Sequence, residues 1–437
     1  MRFHFLWLAA SLAVPAAAAR AGDVHAPAGA IVLSSPEQAV AAALARSPVL
    51  RGAAASRQAV RGDALTAPLR PNPEASVVVE NFGGLGGRGN YRGGRAIETT
   101  LGVSQRVELG GKRTARIALA VLNGDLAGLD HEAARHDLTR EVVTALADAE
   151  AASRAVGVER DRARLAAETL RIARGRVEAG REPLLQARRA EVSHATANVA
   201  VDRARREAET ALRALAVLIG VPRVDLAPRQ PWFEDIGPMP PSPPPAGPAW
   251  RLAANPDFAR LEAVIAQKRA NLSLQQANAV PDVTLQGQVR RFEEGRETAF
   301  IIGASIPLPV NDRNQGGIAR ARAELLRAEI DAGRGQLTLA AALTTAGQRM
   351  EQAWRAARTL RAALPAAEEA ARLATGGFAE GKFTFLEVSD AQKALSDTRA
   401  QFNDVLREFH ARRAEVERLL GQEPEAPRAW GRSGGTP

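Results

Sequence analysis

Apolar and polar positions along this chain follow two rhythms. Leu101, Val103, Val107 and Leu109 alternate with Thr100, Gly102, Ser104, Arg106 and Glu108, spoiled only by Gln105. A period of two with one apolar and one polar face predicts a strand. Val283, Leu285 and Val289 alternate in the same way with Thr284, Gln286, Gln288 and Arg290, and Phe300, Ile302, Ile306 and Leu308 with Gly303 and Ser305. The stretch 76–82 alternates less cleanly and completes the fourth strand. Two hairpins follow, at about 75–109 and 282–309, closed by a glycine-rich loop of 13 residues (83–95) and a charged loop of 6 (293–298).

Behind each hairpin the period lengthens to three or four. Between Lys112 and Gly180 there is no proline, and Leu122, Leu126, Leu129, Ala133, His136, Val143 and Ala147 form a seam with Arg140 in its one gap. That spacing packs helix on helix. About 66 residues at 1.5 Å each make a rod of roughly 100 Å. Gly180 and Pro183 break it, and a second helix runs to Gly220. The second half repeats this with a helix from about 318, a break at Gly381 and a helix to Gly421; Pro365 is expected to kink the first of these. Ahead of the first hairpin, 37–66 reads as helix interrupted once at Pro48 and stopped by Pro68, Pro71 and Pro73.

These correspondences define an internal repeat. Ser47-Pro48 recurs as Asn255-Pro256 at an offset of 208, whereas Arg171, Gly175, Gly180, Leu185 and Ala190 recur as Arg372, Gly376, Gly381, Leu386 and Ala391 at 201. The seven-residue difference between the hairpin loops accounts for the shift. One unit is therefore written twice, over 36–220 and 249–421. An extended segment (22–35) precedes the first unit, and a linker (221–248) joins the two. Its proline-rich part, 231–248, is expected to hold no regular structure. The tail, 422–437, is expected to be disordered.

Residues 1–21 read as a signal peptide: Arg2, an apolar run to Ala18, and Ala19-Arg20-Ala21 at the cut. Its removal lowers the net charge from +9 to +7. The chain has no cysteine, which excludes disulfides, thiolate metal sites, thiol nucleophiles and a lipidated cysteine at the cut. Of the 58 basic residues 54 are arginines, interleaved with acids. That pattern suits solvated helix faces rather than a nucleic-acid track. No nucleotide-binding glycine loop, HExxH or nucleophile elbow is present. The chain is accordingly not read as an enzyme, and no catalytic, cofactor-binding or metal-ligating residue is assigned. The six histidines do not cluster, and His131 and His136, five apart, leave a helix on different faces.

Four two-faced strands suit the wall of a membrane barrel, but four cannot close one and a bilayer tolerates no open edge. Closure by oligomerisation would give eight strands in a dimer or twelve in a trimer. The strand residues expected to face lipid are Leu101, Val103, Val107, Leu109, Val283, Leu285, Val289, Phe300, Ile302 and Ile306. A soluble α+β protein and a secreted coiled-coil structural protein remain open as readings of the same pattern.

The duplicated unit, the signal peptide and the segment Ser104-Gln-Arg-Val-Glu-Leu-Gly-Gly-Lys-Arg113 resemble the outer membrane factor (TolC) family. Together with Asn72-Pro73-Glu74 and Glu80-Asn81, that segment resembles the family's CzcC-like cation-efflux branch. The resemblance implies a mainly α fold with a β-barrel part: a homotrimer with a twelve-stranded barrel in the outer membrane of a Gram-negative bacterium and a long periplasmic α-barrel. It implies a periplasmic adaptor and a proton-driven inner-membrane pump of the resistance-nodulation-division class as partners, with divalent heavy-metal cations as cargo. A drug-efflux or type I secretion duct shares the architecture. The breaks at Gly180 and Gly381, with Leu185 and Leu386, match the tips that meet the adaptor. Glu387 and Asp390 match acids lining the closed entrance; their i, i+3 spacing puts both carboxylates on one helix face. The first unit carries Gln186 and Arg189 there.

Overall fold

The structure is a computed structural model, and it describes residues 30–82, 96–228, 230–238 and 254–422. The stretch read as a signal peptide, the first hairpin's loop with Tyr91, most of the proline-rich run and the tail lie outside the described residues. The chain opens with β1 (Ile31–Leu33), α1 (Pro36–Arg46) and α2 (Pro48–Thr66), followed by β2 (Glu74–Glu80) and β3 (Glu98–Val107). Next come α3 (Lys112–Glu178), α4 (Leu184–Ile219), β4 (Val224–Leu226) and the short α5 (Pro231–Glu234). Then follow α6 (Pro256–Asn278), β5 (Val283–Phe292), β6 (Thr298–Ser305), α7 (Gln315–Glu380) and α8 (Phe385–Leu420).

The repeated dipeptides Ser47-Pro48 and Asn255-Pro256 are helix starts. Ser47 caps α2 and Asn255 caps α6, each followed by proline at the first helical position, where its missing N–H costs nothing. The repeated glycines are helix stops: Gly220 and Gly421 take φ of +80° and +66° and close α4 and α8. α3 holds 67 residues and α7 holds 66, rods of roughly 100 Å each. Pro365 lies inside α7, which neither starts at 318 nor is interrupted by it.

β2, β3, β5 and β6 form one antiparallel sheet in that order, so β3 and β5 join the two repeats and β2 and β6 are its edges. Beside the sheet end, the first half of α3 packs between α2 and α6, and α6 packs on α7. Farther down, α3 packs on α4 and α8, and α8 on α7. Small residues let these rods approach closely; Ala163, Ala166, Ala197 and Val201 form one such contact. Of the predicted seam on α3 only Val143 and Ala147 are fully buried, because the helix changes partners along its length.

The largest core lies halfway along the rods and corrects the reading of the linker. Part of it does hold regular structure. β4 pairs in parallel with β1, and Pro231–Glu234 forms a helical turn that buries Trp232 and Phe233. This segment straps three long helices. Glu234 pairs with Arg154 of α3, and its carbonyl accepts from Arg361 of α7. Trp354 Nε1 of α7 donates to Gly237 O (3.2 Å), and His410 Nε2 of α8 donates to Phe233 O (2.8 Å). Proline excludes a long helix here, but an apolar Trp-Phe pair still finds a core.

Candidate functional site

The sheet has two chemically distinct faces, fixed by register. Val77, Leu101, Val289 and Phe300 stand side by side across all four strands, and the next row is Ala75, Val103, Gly287 and Ile302. Val107 pairs with Val283, and Leu285 lies opposite Gln105. On this face Ile302 is 93% exposed and Phe300 81%. Leu101, Val103, Val107, Leu109, Leu285, Val289 and Ile306 are exposed as well, and Val283 is half-buried. The opposite face carries Ser76, Thr100, Ser104, Thr284, Gln286 and Gln288, with Val78 and Ile301 among them. Its charges gather toward the ends: Arg290 bridges Glu80 and Glu98 (both 3.1 Å) at the hairpin end, and Glu74 and Arg106 stand at the other.

The join between sheet and rods is built from the motif residues of 104–113. Asp282 Oδ1 accepts from Lys112 Nζ (2.5 Å) and from the Leu109 N–H (3.1 Å), tying the end of β3 to the start of β5. Glu108 chelates Arg116 at 2.7 and 3.0 Å, and that guanidinium also donates to Ala67 O and Leu69 O. Gly110, at φ +70°, fits because a Cβ there would lie 2.6 Å from Val280 Cβ.

At the far end both breaks turn on a glycine in the left-handed region, Gly180 at φ +68° and Gly381 at +82°. Leu185 and Leu386 are exposed beside them. The two turns are fastened differently. In the first, Arg176 pairs with Glu182 (2.9 Å). The matching positions in the second are Gly377 and Phe383, and the Phe383 ring lies where a Gly377 side chain would be. Arg176 also crosses between repeats: it donates to Phe378 O (2.6 Å), and its guanidinium lies 5.2 Å from that ring's centroid. Above this contact Gln392 of α8 donates to Thr169 of α3 (3.0 Å) and Thr375 of α7 (3.3 Å). Between α3 and α7 runs a groove of about 950 Å³ with Arg164, Arg171, Arg176, Arg181, Arg372 and Arg399 on its walls beside Glu168 and Glu368.

The structure puts Glu387 on the first turn of α8 and Asp390 on the second, both exposed. Glu387 forms a capping box with Thr384. The Thr384 N–H, and secondly its hydroxyl, hold the Glu387 carboxyl below the usual carboxylate range. Asp390 has no ion-pair partner among the described residues. Sequence reasoning passed over Arg176, Gln392 and the cap. The Thr-x-x-Glu signature of the cap was legible, whereas Arg176 and Gln392 act across the repeats. Among the described residues no group of three or more His, Asp or Glu is arranged to hold a metal ion, and no helix is long and apolar enough to cross a membrane.

Comparison with known proteins places these features. The cobalt-zinc-cadmium resistance protein CzcC of Cupriavidus metallidurans is 29% identical over 374 residues, 85% of this chain and 86% of that one. The nickel-cobalt-cadmium resistance protein NccC of Alcaligenes xylosoxydans xylosoxydans is 28% identical over 306 residues, 67% of this chain and 66% of that one. The open-state MtrE outer membrane channel of Neisseria gonorrhoeae superposes with a TM-score of 0.73 at 20% identity, covering 89% of each chain, a likeness of fold. The outer membrane efflux protein family model matches residues 39–221 and 251–422, the two repeats in turn, and the chain belongs to that family.

Proposed function

We propose that this protein is the outer membrane channel of a tripartite efflux system, assembled as a homotrimer and exporting divalent heavy-metal cations. The observation that carries the reading is the sheet: four strands, a mostly apolar face, and two unpaired edges at β2 and β6. Such a sheet is stable across a bilayer only when β6 of one copy pairs with β2 of the next. A barrel of about eight strands is filled by its own side chains, so a lumen that passes solute favours three copies and twelve strands. In that arrangement Leu101, Val103, Val107, Leu109, Val283, Leu285, Val289, Phe300, Ile302 and Ile306 meet lipid. The Ser, Thr and Gln side chains of the other face line the lumen with uncharged polar groups, a surface suited to conduction without binding.

The helices support the same closure. Within one chain α4 packs chiefly on α3 and α7 chiefly on α8, which puts α4 and α7 at opposite edges. Leu185, Val192 and Val199, seven apart on α4, are exposed, and near its own turn α7 exposes Ala366, Ala370 and Leu373. Exposed aliphatic side chains on both edges suit knobs-into-holes packing between copies. The turns at Gly180, Leu185, Gly381 and Leu386 are the adaptor-facing tips, and the arginine-walled groove above them suits an acidic partner surface. Glu387 and Asp390 from three copies line the entrance with carboxylates, which favours cations. The metal cargo rests on the relatives, which are resistance proteins for cobalt, zinc, cadmium and nickel. The pump sets selectivity, and the channel is its conduit.

Two measurements test this. Outer membranes should yield a heat-stable trimer, and recovery in the soluble periplasm would refute the channel. A deletion strain should lose tolerance to zinc, cadmium, cobalt or nickel; unchanged tolerance to all of them would remove the metal cargo and leave the channel.

A further inference from the structure

The strands at the edges of the sheet are the short ones. β2 has 7 residues and β6 has 8, against 10 in each of β3 and β5. At about 3.4 Å per residue and a tilt near 40°, ten residues rise roughly 26 Å, which matches an apolar band of roughly 25 Å. Seven or eight rise only about 18–21 Å by the same arithmetic. The apolar phase, however, does not stop where the ladder stops. Phe300, Ile302 and Ala304 continue at the same period through Ile306, Leu308 and Val310, with Pro307 and Pro309 between them. Upstream of β2, Leu69, Pro71 and Pro73 run in phase with Ala75, Val77 and Val79. Leu69, Leu308 and Val310 are 61%, 75% and 72% exposed.

Proline explains how chain can stay at that depth without a ladder. It keeps the backbone extended and has no N–H to leave unsatisfied in an apolar medium. Two further groups find partners: Val310 N donates to Leu308 O (2.9 Å), a three-residue turn about Pro309, and Gln105 Nε2 donates to Pro71 O (2.8 Å). Gln105 interrupts the apolar phase of β3 between Val103 and Val107, and this bond is its reason. Two arginines are held beside these segments by proline carbonyls. Arg113 Nε donates to Pro68 O (2.7 Å) and Arg313 Nε to Pro309 O (3.1 Å), and their η nitrogens have no partner among the described residues. The described aromatic residues of the sheet, Phe82, Phe292 and Phe300, all lie toward its hairpin end. None stands at the helix end, where a barrel would carry its second girdle.

We propose that residues 69–73 and 306–310 form a proline-spaced aliphatic collar that seats the helix end of the sheet in the headgroup region of a phospholipid leaflet, with Arg113 and Arg313 on lipid phosphates. The collar replaces the missing aromatic girdle, and it rests on the reading of the sheet as a barrel wall. Aliphatic stems with guanidinium heads suit that boundary.

Because the chain has no cysteine, Leu69→Cys, Leu308→Cys and Ile302→Cys can each carry a polarity-sensitive fluorophore on the full chain, reconstituted in phosphatidylethanolamine–phosphatidylglycerol vesicles. Labels at 69 and 308 should lose at least about half their emission to lipids bearing a nitroxide near the headgroup, and little to aqueous iodide. The label at 302 should respond most to a nitroxide deep in the acyl chains. Adding Arg113→Gln and Arg313→Gln should at least halve the shallow quenching at 308, roughly as loss of an anchoring charge pair requires; unchanged quenching would overturn the phosphate contact. If 302 is quenched by lipid while 69 and 308 answer only to iodide, or to nothing because a neighbouring copy covers them, the collar is refuted and the barrel stands. If 302 is not quenched by lipid, the barrel reading fails and the collar with it.

Discussion

Glu387 Oε2 accepts from both the backbone N–H (2.6 Å) and the hydroxyl (2.9 Å) of Thr384, and the Glu387 N–H donates back to Thr384 Oγ1 at 3.3 Å. One of the two acids proposed for the entrance therefore also starts the helix that carries both. The roles are separable. Thr384→Ala should fray α8 at a cost of about 1 kcal/mol while leaving both charges in place. Glu387→Gln keeps a side chain that serves a capping box and removes the charge. In planar bilayers Glu387→Gln and Asp390→Asn should each lower cation-over-anion selectivity, and Thr384→Ala should not. Equal effects from Thr384→Ala and Glu387→Gln would mean that selectivity follows the fold of the turn rather than its charge. Because Thr384 holds Glu387 below the usual carboxylate range, its share of the selectivity should survive mild acid and fall only as the pH drops through that lowered value.

Adjacent glycines on α7 should respond with opposite signs. A Cβ at Gly376 would meet nothing within 4 Å, whereas one at Gly377 would lie 2.2 Å from the Phe383 ring. In a helix, alanine for glycine ordinarily gains about 0.5–1 kcal/mol. Gly376→Ala should therefore raise the thermal midpoint, and Gly377→Ala should lower it by expelling Phe383 from the turn. The cycle with Phe383→Ala isolates the contact, since the cost of Gly377→Ala should vanish in that background. A stabilising Gly377→Ala would show that the ring does not secure the second turn.

His410 gives the middle of the rods an acid limit. The side chain is fully enclosed and donates to Phe233 O, with Trp232 and Phe409 packed around it; Arg154 and Arg413 face it with positive charge and Asp235 with negative. Burial, above all, lowers its pKa from 6.5 to about 4. A base with a depressed pKa contributes stability above its unfolded value and loses it on the way down. Unfolding free energy should fall between about pH 6.5 and pH 4, by roughly 3 kcal/mol at most, and level off below. Trp232 lies in the strap and Trp354 of α7 bonds to it, so tryptophan fluorescence during denaturant unfolding reports it. His410→Gln should flatten that slope, and an unchanged slope would assign the acid limit to the carboxylates instead.

Much of this was legible in the sequence because it was written twice. Ser47-Pro48 and Asn255-Pro256 mark the starts of α2 and α6, and Gly220 and Gly421 the ends of α4 and α8, because a cap or a left-handed stop needs those residue types locally. The strap was not legible: composition registered its prolines, while the fate of Trp232 and Phe233 depended on His410 and Arg154, which are remote in sequence. Arg176 was invisible for the same reason, since its partner Phe378 lies in the other repeat. Gln105 looked like a blemish in a strand, and only the position of the Pro71 carbonyl gives it a purpose. Local chemistry could be read from one dimension; contacts between copies of the repeat could not.

The proposed trimer makes its own demand on α4. Val192 and Val199 are 65% and 67% exposed, seven residues apart on a helix whose buried side consists mostly of alanines facing α3. Each leaves an aliphatic side chain in water in the single chain, and burial of such a side chain contributes roughly 1.5–3 kcal/mol. Three copies would bury them against the α7 of the neighbouring copy. Val192→Glu with Val199→Glu would place six carboxylates in those seams, so the heat-stable trimer should disappear. The helix content should stay unchanged, because both positions are exposed within one chain. Crosslinking at low concentration should then report monomers. A trimer that survives the double substitution would move the seam elsewhere on α4 and leave the two valines without a role in assembly.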